Sequence, residues 1–299
     1  MEVIKTSAEH HFLTTLQKIK KAPAGWAGLY FSLSKNMPHK VVIKQPAAIN
    51  KTMSVERQKA QEVFDSIQSY GEKLHKSIAY LFEDNDIVVL MPLKSSDSKA
   101  LFQKIYQKIA AELPENMSDF ALLEHELYSY QKLADQKIIS AKAMQAYRAM
   151  SDRNKISSLS IRREKRDYPL VQVIEDDRFT ASYTSNILNR EYDMVLNRNG
   201  EEGILTYIEN APDIVFIDIH LPGLNGHQVL ESLKIIDPNV YAVMLSVDTV
   251  KDNIVKSAEV GANNFLKKPF SRDRLINIVK NSPFVQSTLG RNAASLRTH

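Results

Sequence analysis

From residue 168 onward the chain repeats one pattern five times, a short apolar run followed by an amphipathic segment of helical period. The runs are 170–174, 192–196, 214–217, 240–245 and 264–266, and the segments after them are 177–189, 201–210, 226–236, 249–260 and 272–281. Strands that are apolar on both sides belong inside a parallel sheet, and parallel strands need crossovers that place helices over both faces. The pattern therefore predicts an α/β fold with a doubly wound, five-stranded parallel sheet. In such folds ligands gather beyond the carboxyl ends of the strands. The residues there are Glu175, Asp176 and Asp177 after the first run, Asp218 after the third, Ser246 after the fourth, and Lys267, Lys268 and Pro269 after the fifth.

Two or three carboxylates at neighbouring strand ends repel one another, a cost that a cation relieves. Oxygen ligands without a His or Cys cluster call for a hard ion, Mg²⁺, with Mn²⁺ chemically similar. An aspartate beside such an ion can act as a nucleophile toward phosphorus. A lysine and a hydroxyl across the rim can hold the oxygens of an incoming phosphoryl group. Taken singly, Asp176 and Asp177 would read as helix caps and Lys268 as a surface lysine. The order along the chain makes the set specific: acidic pair, Asp218 within 213–226, Ser246, then Lys268-Pro269.

At these residues the stretch 168–285 resembles the receiver domain of two-component response regulators, a flavodoxin-like fold of bacterial signal transduction. The resemblance implies that Asp218 is the phosphoacceptor. It makes Glu175 and Asp176 the acidic pair, Asp176 being a direct metal ligand, and has His220 offer its backbone carbonyl to the metal. Ser246 matches the switch hydroxyl, Phe265 the switch aromatic and Lys268 the phosphate-contacting lysine, and Pro269 stands where a cis peptide is common. It also implies a sensor histidine kinase or phosphotransfer protein as partner.

The front half reads β-α-β-β-α. Residues 27–33 and 41–43 are strands, 54–70 a helix with Ser54 as N-cap, 77–82 and 87–90 a hairpin around 83–86, and 99–113 a helix. That order is most of a ferredoxin-like α+β unit, and with the hairpin it resembles the diguanylate-cyclase (GGDEF) family over 24–113. Placed on the hairpin motif, Asp84-Asn85-Asp86-Ile87-Val88 keeps only the third residue. The glycines are replaced, Ile87 stands where that family has its catalytic acid, and Ser32 and Ser34 occupy the region of its metal carboxylates. His75 and Ile78 replace the Arg-x-x-Asp inhibition site. The front domain is therefore expected to contain no catalytic residues and to act by binding a downstream protein; the alternative is an enzyme that binds or turns over GTP or a cyclic dinucleotide.

Residues 119–150 carry Phe120, Leu123, Leu127, Tyr130 and Ala134 at spacings of three and four, which predicts a helix. Its apolar stripe either packs on its own domain or forms a dimer seam. The basic run Arg162-Arg163-Glu164-Lys165-Arg166 reads as a linker. The expected organisation is a cyclase-like domain at 1–118, a helical connector and linker at 119–166, and a receiver at 167–299. Length, 299 residues, agrees with two domains. The net charge of +4 conceals a basic front, with 26 Lys and Arg against 18 Asp and Glu in 1–166, and an acidic back, with 13 against 17 in 167–299. The front helices carry mixed charge rather than a basic recognition face, so nucleic acid is not an expected partner. Absence of cysteine excludes disulfides and thiolate chemistry, and the longest uncharged run, 22–34, is 13 residues, too short for a membrane span. A cytoplasmic signalling protein that is not an enzyme is the expectation.

Overall fold

The structure, a computed structural model, describes residues 1–33, 46–114, 117–247 and 251–295. The chain divides into two compact units, one formed mainly by residues up to Met144 and the other from Gln145 onward.

The first unit contains, in order, β1 (Glu2–Ile4), α1 (Ala8–Ile19), β2 (Trp26–Phe31), α2 (Pro46–Gln68), β3 (Ile78–Leu81), β4 (Ile87–Pro92), α3 (Ser96–Ala110), β5 (Ser118–Leu122) and the start of α4 (Leu123–Met150). Its sheet has the order β1-β3-β4-β2-β5, with β1 parallel to β3 and the other pairs antiparallel. Because successive strand residues face opposite sides, Leu29, Phe31, Leu81, Ile87 and Val89 bury against Phe64 and Ile67 of α2 and Phe102 and Ile105 of α3. Tyr80, Phe82, Val88 and Leu90 bury against Phe12 and Leu16 of α1 and Tyr130 and Ala134 of α4.

Several expectations are corrected. Ser54 lies inside α2 rather than capping it, since the helix already begins at Pro46, a residue suited to the first helical position. The predicted helix does not start at Asp119: residues 118–122 form β5, which completes the free edge of β2. Two further elements, β1 and α1, had no place in the sequence reading. The stripe Leu123, Tyr130 and Ala134 is buried in its own unit rather than left as a seam. The strand expected at 41–43, Ser34, and positions 249–250 lie outside the described residues.

The second unit adds α5 (Arg153–Ser157), α6 (Leu159–Glu164), β6 (Leu170–Ile174), α7 (Arg178–Leu188), β7 (Asp193–Asn197), α8 (Gly200–Asn210), β8 (Ile214–Asp218), α9 (Gly226–Ile236), β9 (Ala242–Ser246), α10 (Lys251–Glu259), β10 (Asn264–Lys267), α11 (Arg272–Lys280) and α12 (Pro283–Ser295). Its five strands are all parallel in the order β10-β9-β8-β6-β7. Val171, Val173, Phe216, Val243 and Leu245 pack against Leu188 of α7 and Leu275 and Val279 of α11. The opposite face takes α8, where Gly203 lies so close to Ile174 that a Cβ would meet its Cδ1 at 2.3 Å.

The basic run is not a free linker but lies largely in α6, held against the second unit. Arg162 donates to the carbonyls of Ile208 and Glu209, both at 2.6 Å, and Arg166 to that of Ala211 at 2.9 Å. Those carbonyls end α8 and have no partner within the helix, so guanidinium donors satisfy them. Arg163 is buried, with Nη2 2.5 Å from Asp237 Oδ2 and Nε 2.8 Å from the Pro212 carbonyl.

Candidate functional site

The sheet order changes direction between β6 and β8, and the loops leaving these strands open a rim at their carboxyl ends. Glu175 follows β6 and is fully buried; Asp218 ends β8 and is 5% exposed; Asp176 is exposed. One carboxylate oxygen from each of the three lies within 4.8 Å of the others, the one such group among the described residues. Lys268 reaches them from the end of β10, with Nζ 2.5 Å from Glu175 Oε2 and 3.0 Å from Asp218 Oδ1. Burial pushes the Glu175 carboxyl up to about 7, with Lys268 opposing and Asp218 reinforcing the rise. Two buried carboxyl groups thus share one ammonium group, with the exposed Asp176 beside them.

Asp177 is the cap of α7. Its Oδ1 accepts the Thr180 N–H at 2.8 Å, a bond that holds its pKa below the ordinary carboxylate value. Asp177 N–H in turn donates to Glu175 Oε1 at 3.2 Å, so the helix start also orients Glu175. The cap reading therefore applies to Asp177, while Asp176 stays with the carboxylate group. Ser246, fully buried at the end of β9, is paired in register with Lys267, and its carbonyl accepts the Lys268 N–H at 2.8 Å. The Lys268–Pro269 peptide is cis. Phe265 is partly buried on β10 opposite Met244, and His220 is exposed in the loop after β8.

That loop also depends on residues outside the predicted site. Glu201 of α8 is 3% exposed and accepts the Leu224 N–H at 3.2 Å, while Gly223 turns beside it with a φ of +78°. Gly226 starts α9 directly over Asp218, where a Cβ would lie 2.2 Å from the Asp218 carbonyl oxygen. Arg198 donates to the Asp177 carbonyl at 3.3 Å from the loop after β7. Gly226 had a local signal, since it follows an Asn that caps α9. Glu201 had none, because its contact spans 23 residues.

Residues 171–280 match the response regulator receiver domain family. The sporulation initiation phosphotransferase F of Bacillus subtilis is 30% identical over 110 residues, covering 36% of this chain and 89% of the relative. The chain belongs to the response regulator receiver family. A second relative of this receiver, the chemotaxis protein CheY of Listeria monocytogenes, is 29% identical over 110 residues, 36% of the chain and 92% of the relative. Among solved structures, a CheY-like receiver domain protein from Methanospirillum hungatei JF-1 is 22% identical with a TM-score of 0.38, covering 42% of this chain and 98% of that one. The residues that match the family, 171–280, lie within the second unit. No helix among the described residues is long and apolar enough to cross a membrane.

The donor set of the receiver fits a hard divalent cation. Three carboxylates converge with no imidazole or thiolate among them, and the excess negative charge on a buried pair is what such an ion relieves.

Proposed function

We propose that this chain is a phosphorylation-controlled switch in which Asp218 accepts a phosphoryl group from a histidine kinase or phosphotransfer protein. The observation that carries the reading is the Lys268 ammonium group set between Glu175 and Asp218, at the rim where Asp176 adds a third carboxylate. Glu175, Asp176, Asp218 and the His220 carbonyl would hold Mg²⁺, which when bound neutralises the carboxylates and the phosphoryl oxygens. An Asp218 oxygen forms the new bond to phosphorus, and the bond from phosphorus to the donor's imidazole nitrogen breaks, its electron pair leaving with the imidazole. Lys268 steadies the negative charge on the transferred group, Ser246 donates to one of its oxygens, and Phe265 follows the rearrangement of Ser246. Such a contact shifts the receiver between two states only by its difference in free energy between them.

The first unit is read as a ferredoxin-like domain that binds a protein and catalyses nothing. Its β2-α2-β3-β4-α3-β5 order and antiparallel pairing support the fold. Ile87, at the position of the cyclase acid, is fully buried in the core, and Ser32 is 9% exposed. Asp84 and Asp86 are buried and paired with Lys137. These features weigh against nucleotide turnover.

Incubation with acetyl phosphate and Mg²⁺ should give a hydroxylamine-labile adduct in the wild type and none in Asp218→Asn. Equal labelling of both would refute the phosphoacceptor assignment.

A further inference from the structure

The hairpin between β3 and β4 carries two carboxylates deep in the first unit. Asp84 is 1% exposed and Asp86 is fully buried. Between them stands Lys137 of α4, itself buried, whose Nζ is 2.8 Å from Asp84 Oδ2 and is hydrogen-bonded to Asp86 Oδ2. Asp86 Oδ2 also accepts the Tyr30 hydroxyl at 2.6 Å, and Asp84 Oδ1 accepts the Asp86 N–H at 3.2 Å. The ammonium group further faces the rings of Tyr30 at 5.5 Å and Phe82 at 5.8 Å. From the other side Arg57 of α2 donates to the Phe82 carbonyl at 2.8 Å, pinning the start of the turn, and Asn85 takes a left-handed φ of 74° at its tip.

We propose that Lys137 is the resident cation of this hairpin, occupying by a covalent tether the position between Asp84 and Asp86 where a divalent ion would otherwise bind, and so closing the pair to metal and to metal-bound nucleotide. The inference rests on the reading of this unit as non-catalytic and supplies its physical cause. A buried carboxylate pair requires a counter-ion. A lysine meets the need with one charge and directed N–H bonds. Mg²⁺ would demand about six oxygens in octahedral array, usually several of them water, and the lysine side chain fills the space that an ion and its waters would need. Burial acts to lower the pKa of Lys137, but Asp84 and Asp86 outweigh it and raise the value above that of an ordinary lysine, so the counter-ion does not titrate away near neutral pH. Asp84 is raised by burial, with Lys137 opposing.

The test uses the full-length chain carrying Asp176→Asn and Asp218→Asn, so that the receiver does not take up the probe, with Mn²⁺ counted by electron paramagnetic resonance. With Lys137 present, no Mn²⁺ should bind at the hairpin. Lys137→Ala should gain one site, and adding Asp86→Asn should remove it. If Lys137→Ala unfolds, Mn²⁺ should restore its thermal transition in proportion to concentration, because an ion that binds only the folded state stabilises it. Failure of Lys137→Ala to gain a site, or to be rescued where it unfolds, overturns the inference, as does a site in the Lys137 protein that Asp86→Asn abolishes. Nucleotide turnover that persists in Asp86→Asn would refute the non-catalytic reading alone, leaving the role of Lys137 to be decided by the Mn²⁺ count.

Discussion

Replacing Gly226 with alanine should damage the receiver at its centre. The added Cβ would lie 2.2 Å from the Asp218 carbonyl oxygen and 2.9 Å from both the Asp218 carbonyl carbon and the Ile219 Cα. All three are backbone atoms, so no side-chain rotation can relieve the overlap. To reach the 3.0 Å that Cβ contacts essentially never undercut, the start of α9 and the end of β8 must separate by about 0.8 Å. Overpacking of this kind costs about 1–3 kcal/mol, and the backbone partners place it at the upper end. At roughly 2–4 °C per kcal/mol for a unit of this size, the receiver should lose about 4–12 °C in Tm. The displaced atom belongs to the proposed nucleophile, and a misplacement near 1 Å can reduce a rate on the order of 100-fold. Circular dichroism melting and the rate of acetyl-phosphate labelling read the two effects separately. Gly290→Ala is the control, since no heavy atom lies within 4 Å of its added Cβ. Within α12 it should stabilise by about 0.5–1 kcal/mol. If Gly226→Ala melts and labels like the wild type, the close packing of α9 on Asp218 is not what positions the site.

The remaining predictions address charge and capping. Because the Glu175 carboxyl is pushed up to about 7 from 4.5, the metal-free folded protein holds a proton that the unfolded chain releases. Its contribution is therefore present below about 4.5 and is lost as the pH rises through about 7. Urea unfolding in chelator between these limits should show the decline, and Glu175→Gln should flatten it; an unchanged slope refutes the assignment. Arg163→Met should cost about 3 kcal/mol by leaving Asp237 buried without a cation, with only the Tyr207 hydroxyl and the Asn239 N–H still donating to it, read as a lower denaturation midpoint, and a loss below about 1 kcal/mol, as expected of an exposed pair, would mean the anchor is dispensable. Asp177→Ala should destabilise through loss of the α7 cap, with faster amide exchange at Thr180 as the local readout.

How far each part was legible in the sequence follows from the range of the interactions that make it. The five strands of the second unit were visible because a strand buried on both faces is a local apolar run, and the end of the run marks where the site begins. The described elements of that sheet differ from expectation by two residues or fewer at their ends, as at β7, Asp193–Asn197, against the predicted 192–196. The first unit was harder to read. β5 is five residues long and amphipathic, and only the open edge of β2 makes it a strand rather than the first turn of α4. The arginines of 162–166 read as a linker because their partners, the carbonyls ending α8, lie 44–47 residues away.

Local pattern in the chain predicts the parallel sheet and sets Glu175, Asp176, Asp218, Ser246 and Lys268 at or just beyond the ends of its strands. Strand period and the position of a residue just after a strand are properties of neighbouring residues. How the charges are balanced follows from the three-dimensional fold. Lys268 lies between Glu175 and Asp218, Lys137 between Asp84 and Asp86 across more than 50 residues, and Arg163 against Asp237 across 74. A buried charge is tolerated only with a partner at hydrogen-bonding distance, and no periodicity in the chain says which distant residue the fold will bring there.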